Sequence, residues 1–563
     1  MHHHLSLRSK LIIMGSVMAS LFLVALDQTI VSTALGKIVE EFNAFDSLSW
    51  IVTAYLLTTT VTVPIAGKLS DLFGRRTLLL IGVAIFGLGS LLSGMSANVD
   101  QLILFRALQG IGGGIITANA FTIVGDLFAA RERGKWQGLI GAVFGMSSVI
   151  GPLLGGWLTQ GAIIGRVTTD WRWTFFINVP IAIVAFILIA IFCPTLKHDK
   201  KPRVDYRGAT LLTIGLATLV LAVDNTETIF ANLLSTTGMS LTVLRIIMFS
   251  IVVLAIVRFV YVERKAQEPI LPLRFFRNAN FVKIMGIAAL FGSAFMGAIL
   301  YLTQFNQQVY GATPTESGLM LLPMVAGLMG TSIASGQIIS RTGRYKIFMQ
   351  VGIVVATVMI ALLTTMHPET PYWHEGLIMF FLGAGLGVVM PVMNLAVQAE
   401  FKQHDLGAAT SSSQLFRSLG TTIGVAVFGA VLTAGLTSHI GDMSQNAYIK
   451  TLQKSPAGAA IIKDPSDTNT LLSLNMHDIK QKINDGFEKG IAGLPETAKK
   501  AATTKFYTEQ KEYNDTIVTA FSDSLRSIFI TSAIIMSIAA VLVFSLKERV
   551  LGTAKPDEAP GLA

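Results

Sequence analysis

Long apolar runs alternate with short polar loops along this chain, and that rhythm constrains what it can fold into. About fourteen runs are long enough to cross a ~30 Å hydrocarbon core as helices rising ~1.5 Å per residue. They cover residues 11–35, 50–67, 78–97, 100–125, 138–160, 174–195, 208–223, 239–262, 281–304, 317–340, 347–366, 375–398, 407–435 and 522–546. Lipid offers no partners for backbone N–H and C=O groups, so each run is predicted to be a helix that satisfies its own. The composition agrees. Of 563 residues, 52% are hydrophobic and 14% charged, against about a quarter charged in soluble domains. The fold class is an all-α polytopic membrane protein.

The loops alternate in charge. Lys68, Arg75 and Arg76 lie in one loop, Arg131, Arg133 and Lys135 in the next on that side. Lys197 to Arg207, Arg264 to Arg277, and Arg341 to Lys346 continue the series. Glu40, Glu41, Asp46, Glu227 and Glu369 mark the opposite side. By the positive-inside rule both termini are expected in the cytoplasm and the protein in the cell membrane, which requires an even number of spans. The same distribution accounts for the net charge of +9 without a nucleic-acid partner, and none is expected. The single cysteine, Cys193, supports neither an internal disulfide nor a cysteine-rich metal site. His2 to His4 read as a tag remnant, and the first apolar run is too long for a signal peptide.

Charges within the runs are the next constraint. Asp27 interrupts the first, at roughly 2.5–3.5 kcal/mol on insertion scales. Two readings are open: a carboxylate hydrated near the far interface, or one facing an internal water-filled cavity and binding a proton or cation. It lies ~24 Å along a helix from Leu11, in the outer part of the membrane. Arg106 in the fourth run should meet a carboxylate or a cavity, or else snorkel to an interface. Asp224 and Glu227 follow the short seventh run and read either as site residues or as ordinary loop acids. Glu316, His374 and Glu375 sit at run ends, where solvation is the expectation.

An internal repeat organises the runs. GKLSDLFGRR at 67–76 is echoed by GQIISRTGRY at 336–345, and each follows a run containing proline, Pro64 or Pro323. Repeated halves around a midplane site are the architecture of secondary transporters. The expected division is a cytoplasmic N-terminus (1–10), an N-terminal six-helix bundle (11–195), an inserted helix pair (208–262), a C-terminal six-helix bundle (281–546) and a cytoplasmic tail (547–563). A long outer loop, 436–521, interrupts the second bundle. In it Ile479, Ile483, Phe487 and Ile491 recur every four residues, and Glu496 to Ala520 reads as a second helix after Pro495. A helical hairpin and a solvated loop are both open there.

Three motifs carry the chemistry. In 67–76, Gly67 and Gly74 permit close approach and a tight turn, Asp71 can cap a helix, and Arg75 and Arg76 can pair with acids, Asp126 being the nearest candidate. In LILFRALQGIGGG, Arg106 is followed by Gln109 and Gly110. In the fifth run Gly138, Ser147, Gly151, Pro152, Gly155 and Gly156 give a small-residue helix face with a proline kink.

These stretches resemble the major facilitator superfamily, whose signature loop is GxLaDxxGRRxxL. The details are similar to its fourteen-span drug–proton antiporters and their quaternary-ammonium and multidrug exporters. LDQTIVSTAL at 26–35, WRWTFFINVP at 171–180, Arg417 in the thirteenth run and the long outer loop carry that narrower likeness. Ser32, Gly36, Ser147 and Ser340 depart from the family pattern. The resemblance implies two six-helix bundles plus an inserted pair. It also implies a latch of Asp71, Arg75 and Asp126 between the halves, a proton-transfer role for Arg106, and an antiporter signature in the fifth run.

The function expected is a proton-coupled exporter of hydrophobic or cationic drugs, working by alternating access. Asp27, Arg106 and Asp224 are the candidate proton and substrate site. The alternative is a dedicated exporter of one endogenous lipid, siderophore or antibiotic. Expected partners are small molecules (lipophilic cations above all), protons and the lipid bilayer, with the protein a monomer. Neither a phosphate-cradling loop nor a Cys/His ligand cluster nor a nucleophile–base pair is recognisable, so no enzyme activity, catalytic residue, metal or cofactor is expected.

Overall fold

The computed structural model describes residues 6–42, 48–159, 161, 163–164, 167–193, 203–223, 226–440, 443–454, 462, 468–475 and 477–551. Among them, fourteen helices are long and apolar enough to cross a membrane. They are α1 (Leu7–Phe42), α2 (Leu48–Phe73), α3 (Arg75–Gly94), α4 (Val99–Leu127), α5 (Arg133–Thr159), α6 (Asn178–Phe192, which spans together with the Trp173–Phe176 turn of helix before it) and α7 (Tyr206–Val223). The remainder are α8 (Leu241–Glu263), α9 (Ala279–Gln308), α10 (Leu322–Thr342), α11 (Lys346–Leu363), α12 (Tyr372–Glu400), α13 (Leu406–Ile440) and α14 (Glu496–Phe544). Local signals set many of their ends. Asn98 caps α4, its side chain accepting from the Gln101 N–H at 2.9 Å. Asn278 does the same for α9, and Gly343, at φ 72°, closes α10 in the left-handed conformation.

Helices α1–α6 form one bundle and α9–α14 the other, with α7 and α8 as an inserted pair. The pair packs on the outside of α2 and α13 through Val61, Leu212, Leu216, Phe259 and Leu415. Helix faces away from these contacts are apolar and exposed, as on α8 (Ile246, Val253, Val257) and α14 (Ile534, Ile538, Val541). Those rows are the lipid-facing surface expected of spanning helices. The ends of the bundle differ. One carries Lys68, Arg75, Arg131, Arg133, Arg341 and Arg344 and is called here the basic end. The other carries the segment between α13 and α14 and is called the cap end.

At the basic end the halves are in backbone contact. A Cβ on Gly138 of α5 would stand 2.3 Å from the Ser332 carbonyl of α10, and one on Gly67 of α2 would stand 2.2 Å from the Ser411 hydroxyl of α13. Across the same seam Ser332 Oγ donates to the Gly138 carbonyl (2.8 Å) and Gln398 Nε2 to that of Phe121 (3.0 Å). The glycines are thus where the two halves close on each other.

Several helix limits depart from the sequence expectation. α1 runs to Phe42, beyond the apolar run that ends at Leu35. Residues 314–320 form a separate short helix, opened by a Thr313–Glu316 capping box, and α10 begins only at Leu322. At the cap end the described residues form the helical hairpin rather than a free loop, with its second arm fused to the last span. The helix after Pro495 continues without a break into the last span, so α14 is 49 residues long. The His477–Ile491 helix packs on it, with Phe487 stacked on Phe506 at 3.8 Å. The apolar stripe at 479–491 therefore covers a neighbouring helix.

Candidate functional site

Asp27 lies in α1 with no exposed surface. Arg106 of α4 pairs with it through Nη1. Gln109, one turn further on, donates to Asp27 Oδ1 at 2.8 Å, and Asn178, the first residue of α6, donates to the same oxygen at 3.2 Å. Gln109 also accepts from Arg106 Nη1 at 2.8 Å. The guanidinium lies 4.2 Å from the ring centre of Tyr55 and 5.7 Å from that of Phe175. Three helices and two aromatic faces thus enclose one charge pair. The i, i+3 spacing of Arg106 and Gln109 puts both on the α4 face toward α1. Gly110 beside them lets α2 approach, for a Cβ there would stand 2.4 Å from the Tyr55 carbonyl.

The Asp27 carboxylate has no exposed surface and is met by Arg106, Gln109 and Asn178. Arg106 does not snorkel. It is 2% exposed and turned inward, because ionised Asp27 offers it the charge partner that lipid does not. On α4 the pair stands seven residues from the cap-end start of the helix, ~10 Å along it. That agrees with the depth read from α1. Asp224, the third candidate, lies outside the described residues.

The second constellation sits at the basic end. Arg75 Nε donates to Asp126 Oδ2 at 2.8 Å, and the same guanidinium bonds Asp71 and Ser70. Asp71 in turn accepts from the backbone N–H groups of Gly407 (3.1 Å) and Ala408 (2.9 Å), in the first turn of α13. A carboxylate from the N-terminal half therefore caps a helix of the C-terminal half, where orphan N–H groups and the helix dipole favour negative charge. Gly74, at φ 90°, makes the turn between α2 and α3 that delivers Arg75. Arg76 points elsewhere, donating to the Ala190 carbonyl at the end of α6 (2.5 Å).

The glycine-rich face of α5 serves both neighbours. Gly138 meets α10 as described. A Cβ on Gly151 would stand 2.0 Å from the Thr29 hydroxyl, which itself donates to the Ser147 carbonyl at 2.9 Å. Pro152 faces the 314–320 helix at Gly318. Gly155 is buried and Gly156 half-buried along the same helix. α5 is thereby held one turn beyond Asp27 on one side and against the other half on the other.

In the C-terminal half, Arg417 of α13 is half-buried and donates to Gln414 (2.6 Å) and toward the Met390 sulfur (3.8 Å). Among the described residues no carboxylate lies within ion-pair distance of it. Ser340, standing where the repeat has Asp71, donates back to the Gln337 carbonyl of its own helix (2.7 Å) and meets no partner in the other half among the described residues. The sequence reading of Glu375 as solvated is corrected: it is fully buried in the first turn of α12. Apolar length placed it at a span end, but Asn306 of α9 and the Tyr310 phenol stand beside it. Asn178 and Tyr55 were also missed as site residues. The WRWTFFINVP motif held the signal for Asn178, and no local pattern marked Tyr55.

Among the described residues no group of three or more His, Cys, Asp or Glu is placed to hold a metal ion. The cluster pairs one buried acid with one buried base.

Comparison with known proteins agrees with this architecture. Residues 17–425 match the family model described as Major Facilitator Superfamily. The chain is 35% identical to the Multidrug transporter protein MdtP of Bacillus subtilis (strain 168) over 559 residues, covering 97% of this chain and 95% of that one. Multidrug resistance protein 3 of the same organism is 32% identical over 550 residues, with 97% of each chain covered. The structure of the human organic anion transporter MFSD10 (TETRAN) superposes with a TM-score of 0.56 at 16% identity, covering 75% of this chain and 93% of that one, a likeness of fold alone. With its two six-helix bundles, repeated loops and fourteen apolar helices, this chain belongs to the major facilitator superfamily of membrane transporters.

Proposed function

We propose that the protein is a proton-coupled exporter of hydrophobic or cationic drugs that works by alternating access between its two halves. The basic end faces the cytoplasm together with both termini, in keeping with the positive-inside rule, and the cap end faces outward. The observation that carries this reading is the buried Asp27–Arg106 pair. A carboxylate without exposed surface needs a counter-charge or a proton. Arg106 supplies the first in this conformation. A proton on Asp27, or a cationic ligand beside it, would displace Arg106 from that role. Proton and substrate are then alternative occupants of one carboxylate, which is the physical requirement for exchange. Arg106, Gln109 and Asn178 hold the carboxylate in place between events.

The Asp71–Arg75–Asp126 constellation supplies the conformational side. It fastens α13 to the N-terminal half while the basic end is closed. Opening that end must break the two N–H contacts to Asp71 and separate α5 from α10 at Gly138. The names of two full-length relatives, both multidrug transporters, support the direction of transport and a broad substrate range.

The test is transport by proteoliposomes with a panel of mono- and divalent lipophilic cations under an imposed pH gradient. Cation movement against its own gradient, with matching discharge of the pH gradient and no added ATP, is expected for several unrelated compounds. Transport indifferent to the pH gradient would contradict proton coupling. Transport of a single compound class would favour a dedicated exporter.

A further inference from the structure

Glu375 plays no part in the exchange cycle above, yet it is a carboxyl group with no exposed surface in a spanning helix. Its neighbours differ in kind from those of Asp27. Asn306 of α9, also without exposed surface, donates to both Glu375 oxygens (2.8 and 3.2 Å) in the amide orientation that satisfies both groups. Tyr310, in the turn after α9, has its phenol beside the same carboxyl. Among the described residues no Lys, Arg or His comes within ion-pair distance. The titratable groups facing Glu375 are the phenols of Tyr310 and Tyr372.

The hydrogen-bond directions decide the chemistry. A tyrosine hydroxyl has one proton to give, and Tyr310 gives it to the Thr370 carbonyl at 2.8 Å. Tyr372 likewise donates to the Met320 carbonyl at 2.8 Å. The Tyr310 hydroxyl is thus engaged elsewhere, and Glu375 is left among neutral neighbours. A neutral carboxyl group suits this pocket, because an ionised one buried without a cation would be far more costly. Tyr310 also has a second face. With Gln308, Asn475, Asn484 and Tyr507 it lines a groove of about 870 Å³ beneath the cap helices, whose charged lining residues are Lys480, Lys511 and Asp515. The phenol thus stands between the buried carboxyl and a polar, open groove at the cap end.

We propose that Glu375, held by Asn306 and Tyr310, is a second proton-binding site of the transporter, in the C-terminal half and loaded from the cap side through the Tyr310 hydroxyl. When the proton leaves, the Tyr310 hydroxyl turns from Thr370 to donate to the carboxylate, and the proton passes to water in the groove. This inference rests on the proton-exchange reading for its use in transport, but the site itself is detectable without transport.

The experiment is infrared difference spectroscopy of the full-length protein in lipid, stepping the bathing pH from neutral to alkaline. The wild type is expected to lose a protonated-carboxyl carbonyl band that shifts in heavy water. Glu375→Gln should lack that band, and Asp27→Asn should retain it. Tyr310→Phe keeps the carboxyl while removing its hydroxyl partner, so its band should move in frequency and exchange more slowly with heavy water. Identical spectra in wild type and Glu375→Gln would overturn the site. So would a Tyr310→Phe band unchanged in position and exchange rate, which decides the matter if Glu375→Gln does not fold. A band present in a protein that shows no drug-dependent proton movement would sink the exchanger reading alone. Intact proton-driven transport without the band would sink this site alone.

Discussion

The two halves share a fold and a repeated loop but treat charge in opposite ways. In the N-terminal half, the intramembrane acid and base meet each other: Asp27 pairs with Arg106, and Asp71 and Asp126 both pair with Arg75. In the C-terminal half, Arg417 and Glu375 are set apart, each among neutral partners. The repeated loop differs in the same sense. Glu400, at the foot of α12 as Asp126 is at the foot of α4, is met by Asn278, Asn280 and, from beyond the last span, Arg549 at 3.0 Å. One half holds paired charges that can be released. The other keeps Arg417 and Glu375 among neutral hydrogen-bond partners, and its Glu400–Arg549 pair ties α12 to the chain beyond α14. On this account the N-terminal half carries the drug exchange and the latch, while the C-terminal half supplies the surface on which the latch closes and the second proton site.

Removing one member of the buried pair should give the largest effect. Arg106→Gln leaves Asp27 buried without its cation, at a cost of about 3–5 kcal/mol, read as a lowered thermal unfolding temperature in detergent. The double variant Asp27→Asn with Arg106→Gln should recover most of that stability and no transport. Arg417→Gln, which strands no carboxylate, should cost clearly less, and equal losses would erase the contrast between the halves.

Next comes the seam. Gly138→Val places side-chain atoms where the Ser332 carbonyl stands, an overpacking penalty of about 1–3 kcal/mol on the closed basic end. Spin-label distances across that end should lengthen. Asp71→Asn weakens the hold on the first turn of α13 by about 1–2 kcal/mol, shifting the same equilibrium roughly tenfold. Ser340→Ala, its counterpart in the repeat, should stay within about 0.5 kcal/mol. A matching shift from Ser340→Ala would show that the second loop also latches.

The smallest effect concerns pH at the cap end. Hydrogen bonding to Arg172 holds the Glu41 carboxyl below its ordinary range, Glu41 Oε1 lying 2.8 Å from the guanidinium. A lowered folded value means that the pair contributes at neutral pH and is lost as pH falls through that value. Being largely exposed, the pair should contribute little and be screened by salt. Glu41→Gln should therefore flatten a slight acid-side loss of stability without altering transport.

Apolar length made the fourteen helices legible, because a spanning helix must satisfy its own backbone whatever its neighbours are. The contact of Arg75 with Asp71 and Asp126 was legible for a similar reason. Asp71 and Arg75 are one turn apart on a short connection, and Asp126 is an acid at the end of a neighbouring span. That Asp71 would cap α13, more than three hundred residues away, was not, since nothing local records which helix start lies opposite. Asp27 and Arg106 each announced a need for a partner, but only the packing of α1 on α4 made them partners of each other. Glu375 was misread because the groups beside it, Asn306 and Tyr310, are distant in sequence. The continuity of α14 through the cap was hidden for the converse reason: its first half is polar, and apolar runs mark only the part inside lipid.

The central claim is that Asp27 is the carboxylate at which proton and drug exchange. Drug-dependent discharge of an imposed pH gradient, measured in proteoliposomes of wild type and Asp27→Asn reconstituted to equal density, tests it most directly. The account predicts that the discharge seen with wild type is absent in Asp27→Asn, although the variant remains folded. A pH gradient discharged by Asp27→Asn at the wild-type rate would contradict it.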